Sequence, residues 1–274
     1  MSPRVIVITG ASDGIGAAGA ARLSALGHTV VIVGRSKDKT VSVAQSLNSD
    51  FFVADFTDLD QVRALGAFLL DRYERIDALV NNAGGIMGSR RVTVDGHEMT
   101  FQVNHLAHFL LTTLLLDRLV ASCASVISTS SVAHKLVGKV DLSDLDSDRH
   151  YSSFHAYGAA KLDNILFTKE LHRRYHELGI STAVFHPGAV ASNFSNDPES
   201  PLRFAYNSVL KRLLISPANG ADTLEWLVTT EPSTDWTSGN YYHKRKIAKT
   251  SAQANDAQSA VELWERSAAM LSAG

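Results

Sequence analysis

The chain lacks most of what marks a specialised protein. It has one cysteine, Cys123, in 274 residues, so no internal disulfide forms and a reducing compartment is expected. In the small-residue stretch Ala121-Ser122-Cys123-Ala124 that thiol reads as buried and structural rather than as a nucleophile. No charge excess exists either. Lys and Arg number 26 against 28 Asp and Glu, a net charge of -2, so no global field recruits nucleic acid or an anionic membrane. Basic clusters are short, and the densest, Lys244-Arg245-Lys246, reads as a solvated turn. No apolar run is long enough for an integral membrane segment. Val5-Ile6-Val7-Ile8 is too short for a signal peptide, and Leu106–Leu116 is interrupted by His108, Thr112 and Thr113, as in a buried helix. The expected location is cytoplasmic. No metal is expected: His105/His108 and His172/His176 have helical spacing but no third ligand, and Arg173 stands where a zinc-protease helix carries Glu.

What is present is a regular alternation. Hydrophobic residues make up 45% and charged residues 20%, the balance of a globular chain with a large core. Short β-branched runs at Val5–Thr9, Thr29–Val33, Asp50–Ala54, Ala78–Asn81, Ser125–Thr129, Ser181–His186 and Gly239–His243 are separated by helical patterns. These include Ile15–Ala25, Asp58–Tyr73, Val103–Val120 and Tyr157–Leu178. Strands separated by helices imply parallel pairing through right-handed crossovers. The strands are apolar almost throughout, as when helices cover both faces. The expected fold is a single α/β domain over 1–274, a Rossmann-type doubly wound parallel sheet of seven strands. Residues 193–216 form one irregular insertion. Its later half carries Leu202, Tyr206, Val209, Leu210, Leu213 and Leu214 at helical spacing, which predicts either a lid over an apolar substrate or a helix packed on the core.

The turn after the first strand reads Thr9-Gly10-Ala11-Ser12-Asp13-Gly14-Ile15-Gly16. Gly10 permits a tight turn, Gly14 lets the backbone approach a pyrophosphate, and Gly16 lets helix and strand pack closely. The helix amides then face the anion. Ser12, Asp13 and Ile15 line the same turn. The second strand ends at Gly34-Arg35 without the acid that usually holds the ribose hydroxyls of NAD. Arg35 can instead pair with a 2′-phosphate, which predicts NADP, with NAD as the lesser option. Asp13 is an opposing charge beside that phosphate.

Tyr157 and Lys161 are four positions apart on a predicted helix and share a face. A phenol with an ordinary pKa of about 10 is a poor base at neutral pH. A neighbouring ammonium favours its phenolate, which makes the pair a tunable acid/base. Ser131 and Ser130 follow the fifth strand, and a hydroxyl there can hold a substrate oxygen.

Together these segments resemble the short-chain dehydrogenase/reductase family, nearest its retinol-dehydrogenase-like branch. The resemblance runs through Thr9-Gly10-x-x-x-Gly14-Ile15-Gly16, Asp55-Phe56-Thr57-Asp58, Asn81-Asn82-Ala83-Gly84, Asn104-His105-Leu106-Ala107-His108, Tyr157-Gly158-Ala159-Ala160-Lys161, His186-Pro187-Gly188-Ala189-Val190 and Ser238-Gly239-Asn240-Tyr241-Tyr242. The 26-residue interval from Ser131 to Tyr157 also fits that branch. The resemblance implies cofactor contacts from Asp55, Phe56, Asn82, Ala83, Gly84, Pro187, Gly188, Val190 and Ser192. It also implies a hold of Lys161 on the nicotinamide ribose, a substrate-orienting Ser131, and an Asn104 that steadies a water leading from Lys161. The implied reaction is hydride exchange between nicotinamide and an apolar aldehyde, ketone or alcohol. A non-catalytic dinucleotide sensor or scaffold is the alternative. The apolar faces of 103–120 and 157–178 could fill the core or pair subunits into a homodimer or homotetramer.

Overall fold

The computed structural model describes residues 3–188 and 215–272. In chain order the elements are β1 (Val5–Thr9), α1 (Gly14–Ala25), β2 (Thr29–Gly34), α2 (Lys37–Leu47), β3 (Phe51–Val53), α3 (Leu59–Arg72), β4 (Ala78–Asn81), α4 (Met99–Phe101), a π-helical turn (Gln102–Leu106), α5 (Ala107–Leu114), α6 (Leu116–Ala121), β5 (Ser125–Thr129), α7 (Ser153–Tyr175), β6 (Ser181–Phe185), α8 (Pro217–Gly220), α9 (Asp222–Thr229), β7 (Asn240–His243), β8 (Lys246–Ile247) and α10 (Ala257–Ser272). The sheet order is β3-β2-β1-β4-β5-β6-β7-β8. The first seven strands are parallel, and the two-residue β8 adds antiparallel to β7. The order reverses between β1 and β4, so a crevice opens there at the carboxyl ends of the strands, where open α/β sheets bind ligands.

The sheet is doubly covered because its strands are apolar on both faces. Val7, Val31, Leu79, Val126 and Val184 point into one core with α3, α5, α7 and α10. Ile6, Ile8, Ile32, Val80 and Ile127 point into the other with α1 and α9. The alternation along each strand follows the pleat. Asp13 starts α1 by accepting the Gly14 amide, and Asp58 starts α3 by accepting the Asp60 amide, as N-caps do.

Two details depart from what the residues alone predict, and the apolar faces of α5 and α7 take the core-filling alternative. The stretch 103–120 is several pieces rather than one helix: the π-turn at Gln102–Leu106 and a break at Leu115 interrupt it. The apolar faces of α5 and α7 are covered by α10 of the same chain. Trp264 meets Phe109 edge-on at 4.8 Å and stacks on Phe167 at 5.9 Å, and His105 Nε2 lies 3.0 Å from Ser267 Oγ. Cys123 is exposed rather than buried. It occupies a left-handed turn between α6 and β5 at φ 49°, so the small residues around it serve a tight surface turn.

Candidate active site

The turn after β1 is built by close backbone approach. Gly10 sits at φ 66°, and a Cβ there would lie 2.8 Å from Ala83 Cα. Thr9 is the hub that fastens this turn to the one after β4. Its hydroxyl oxygen accepts the amides of Asn82 and Ala83, each at 2.9 Å. Asn82 Nδ2 donates to Thr9 O at 3.0 Å, and Thr129 donates to Asn82 Oδ1 at 3.2 Å. The carboxyl ends of β1, β4 and β5 are thereby held as one unit.

His108 completes that unit. Its Nδ1 lies 3.1 Å from the Asn104 carbonyl, which can only accept, so Nδ1 carries the proton. Nε2 is then the acceptor for the Thr9 hydroxyl at 3.1 Å. Burial pushes the His108 pKa down to about 3, which keeps the ring neutral and this tautomer in place. In sequence His108 is a metal candidate, a break in an apolar run and the end of the Asn104–His108 segment, and its spacing of four from Asn104 was the signal for this role. Among the described residues no group of three or more His, Cys, Asp or Glu is placed to hold a metal.

At the adenosine end, position 34 has no room for any side chain. A Cβ on Gly34 would fall 2.5 Å from Thr40 Oγ1 and 2.7 Å from Ser12 Oγ. Arg35 is exposed and makes no ion pair among the described residues. Asp13 is already engaged: Oδ1 accepts the Gly14 amide at 2.7 Å, and Oδ2 meets Lys39 Nζ at 2.7 Å. Lys39, which the sequence reading passed over, thus offsets the acid beside Arg35. Ile15 packs on the core beneath α1. Asp55 turns inward to accept the amide and hydroxyl of Thr57 at 3.0 and 2.9 Å. The Phe56 ring is buried edge-on against His108 at 5.3 Å, and its carbonyl accepts from Gln102 Nε2 at 3.1 Å.

At the chemical end, the π-turn presents Asn104. Its Nδ2 donates to Gly85 O at 3.0 Å and Thr100 O at 2.8 Å, and its Oδ1 accepts the Gly85 amide at 3.1 Å. Both amide protons and one lone pair of the oxygen are thereby used to pin Gly85 to α4. Gly84 fits because it has no side chain: a Cβ there would lie 2.3 Å from Asn104 Oδ1 and 3.3 Å from Lys161 Nζ. Lys161 is 2% exposed. Its Nζ lies 5.4 Å from the centre of the Tyr157 ring and donates to Thr129 O at 3.3 Å. Burial lowers its pKa to about 7. Tyr157 packs between Ile86 and Ala133.

The two serines separate cleanly. Ser130 is buried and its hydroxyl donates to Lys161 O at 2.7 Å, so it ties β5 to α7. Ser131 is half-buried and caps the short turn Val132–Lys135, its oxygen accepting the Ala133 amide at 3.2 Å. That leaves its proton for another acceptor, on the turn that holds Ala133 against Tyr157. Pro187 and Gly188 follow β6, with the Gly188 amide donating to His186 Nδ1 at 3.1 Å. Val190, Ser192 and the apolar stripe of 202–214 lie outside the described residues. The chain re-enters at Ile215, whose Cδ1 would be 2.9 Å from a Cβ on Gly188.

This donor set suits a nicotinamide dinucleotide. Lys161 has three ammonium protons and one acceptor among the described residues, which fits ribose hydroxyls. The α1 amides and Arg35 fit phosphates.

The family model described as short chain dehydrogenase matches residues 4–201. The chain belongs to the short-chain dehydrogenase family. A Streptomyces sp. (strain C5) protein named "Putative daunorubicin C-13 ketoreductase DnrU" is 43% identical, over 97% of this chain and 92% of the relative. Mouse retinol dehydrogenase 14 is 35% identical, over 99% and 86%. Among solved structures, the NADP active-site complex of Pseudomonas aeruginosa RhlG has a TM-score of 0.68 at 26% identity, covering 87% of this chain and 93% of that one. This dehydrogenase is thus an oxidoreductase of CH–OH and C=O groups, in the retinol-dehydrogenase-like branch, that uses a nicotinamide cofactor. Among its described residues no helix is long and apolar enough to cross a membrane.

Proposed function

We propose that this dehydrogenase is an NADP-preferring enzyme for bulky apolar ketones and aldehydes, with Tyr157, Lys161 and Ser131 as its proton-transfer site. The observation that carries the reading is the buried Lys161 ammonium beside the Tyr157 ring, held under Gly84 and Asn104. The bound nicotinamide supplies the hydride. Tyr157 gives its hydroxyl proton to the substrate oxygen, or takes one from an alcohol in the reverse direction. Lys161 favours the phenolate that forms and holds the ribose hydroxyls. Ser131 donates a hydrogen bond to the substrate oxygen and fixes it within reach of Tyr157. Asn104 and His108 keep the Gly84–Gly85 wall in register without touching the reacting atoms.

Apolar side chains flank the same place. Val132 and Leu136 are 44% and 69% exposed on the turn that begins after Ser131, and Phe154, three residues before Tyr157 on α7, is 36% exposed. Exposed apolar groups gathered beside a polar site favour a hydrophobic ligand. The names of the 43% and 35% identical relatives give two probes, daunorubicin and retinal. Incubation with NADPH and a panel running from acetone to these compounds, followed by nicotinamide absorbance, tests the reading. Turnover with a bulky apolar carbonyl and a kcat/KM at least about tenfold above that for acetone supports it. A better rate with small polar carbonyls, or with NADH, overturns it.

A further inference from the structure

A cavity of about 340 Å³ lies behind the catalytic helix. Ala156, Ala159, Ala160 and Asp163 of α7 line it, and helical spacing places them away from the face that carries Tyr157 and Lys161. Three of the four are too small to fill the space. The fourth is a carboxylic acid 1% exposed, and its Oδ1 is buried with no hydrogen-bond partner among the described residues. Burial alone pushes its pKa well above the ordinary carboxylate range, with no cation acting on it. Native interiors rarely keep such an atom unmatched unless something else meets it.

The neighbouring charges are already committed or remain at the surface. Glu98, also buried and raised in pKa by burial, spends its two oxygens on the amides of Thr100 and Phe101, each at 2.8 Å. Arg149 at the mouth is held by Asp141 at 2.9 Å and Asp144 at 3.3 Å. Lys139 and His150 are exposed on the rim, and His155 is half-buried there. No ion pair joins any of them to Asp163 among the described residues. Phe101, Val140 and Leu145 add apolar wall to that of the alanines, and Ser147, with the Asp141 and Asp144 that hold Arg149, completes the lining.

We propose that this cavity binds a primary aliphatic amine as its ammonium ion, with Asp163 as the counter-ion and the alanine-lined wall receiving the alkyl chain. An ammonium brings three donors to an acid that lacks one, and the apolar walls both strengthen that pairing and reward burial of the chain. On binding, Asp163 releases its proton to solvent and pairs with the ammonium as a carboxylate. Affinity therefore rises with pH until the amine itself begins to lose its charge.

The test is calorimetric titration of the NADP-loaded enzyme with n-butylamine in phosphate buffer, since Tris is itself a primary amine. The isosteric neutral control is 1-butanol. The expected result is saturable amine binding that tightens as pH rises through neutrality, with 1-butanol at least about tenfold weaker. Asp163→Asn should weaken the amine by about ten- to a hundredfold, the loss of one charge-assisted pairing. Absence of saturable amine binding overturns the proposal, as does equal binding of the alcohol, which marks an apolar void and nothing more. The comparison of amine with alcohol needs no variant, so it decides the matter even if Asp163→Asn folds poorly.

Discussion

Lys161 and Asp163 stand two residues apart on one helix, and both are almost wholly buried. Burial drives each toward its neutral form, the lysine to about 7 and the aspartate well above its usual range. Their surroundings differ. Lys161 faces the Tyr157 ring, the Thr129 carbonyl and the Gly84 backbone, while Asp163 faces an alanine-lined hollow. A buried ionisable group is a cost in both places, and the proposed reaction makes use of only one of them. Function is legible where the partners of an expensive group are themselves arranged for chemistry.

The sharpest way to break this contrast is at Tyr157. Tyr157→Phe removes one hydroxyl and should lower turnover by about two orders of magnitude or more while cofactor binding, followed by fluorescence, persists. Near-normal turnover would leave the buried Lys161 without a role in the reaction. Lys161→Met should also depress turnover severely, yet raise the melting temperature at neutral pH, because it deletes a charge that folding desolvates.

Arg35 supplies a third kind of charge, one that stays in water and costs nothing to keep. Arg35→Ala should weaken NADPH by about ten- to a hundredfold, roughly 1.5–3 kcal/mol, and NADH hardly at all. Equal weakening of both, measured by titration, would end its assignment to the 2′-phosphate. Asp163→Leu should stabilise the enzyme by about 1–3 kcal/mol in urea unfolding, since an unmatched buried acid is replaced by an apolar side chain. A loss of turnover as large as that of Lys161→Met would erase the distinction between the two residues.

The smallest effect concerns an acid that does have a partner. Asp146 is also screened from water. Burial works against its charge, but His97 at 3.2 Å and the Glu98 amide at 2.9 Å hold its pKa below the usual value. The same hydrogen bond raises the pKa of His97. The His97 contribution to stability is therefore complete below the unfolded histidine pKa and is lost as pH rises through the folded one. His97→Gln should flatten the decline in unfolding free energy between about pH 6 and 8, by less than about 1 kcal/mol. An unchanged slope would detach the pair from stability.

Local patterns made the sheet readable. The β-branched runs and the glycine turn act over a few residues, so the parallel doubly wound sheet and the turn after the first strand followed from them. The partners of Thr9 and Asp13 did not, because His108 and Lys39 reach them across 99 and 26 positions of chain. Covering of α5 and α7 by α10 was equally hidden, since an amphipathic face looks the same whether its partner is another subunit or a later helix. Glu98 caps a short helix and Asp163 lies in ordinary helical sequence, and both become notable only when their surroundings are known. Exposure of Cys123 depended on a left-handed turn that small neighbours permit but do not announce.

The π-turn at Gln102–Leu106 has a further consequence in the language of descent. Such a turn carries one residue more than α-helix would over the same span. Deleting a single residue between 102 and 106 would let the segment close into continuous α-helix at little cost to its backbone hydrogen bonds. It would also rotate one flank against the other by about 100°, parting the Asn104 amide from Gly85 or the His108 ring from Thr9. Chain length in this segment is thus a heritable setting of the active site, and one lost codon could leave the fold intact while taking the chemistry away.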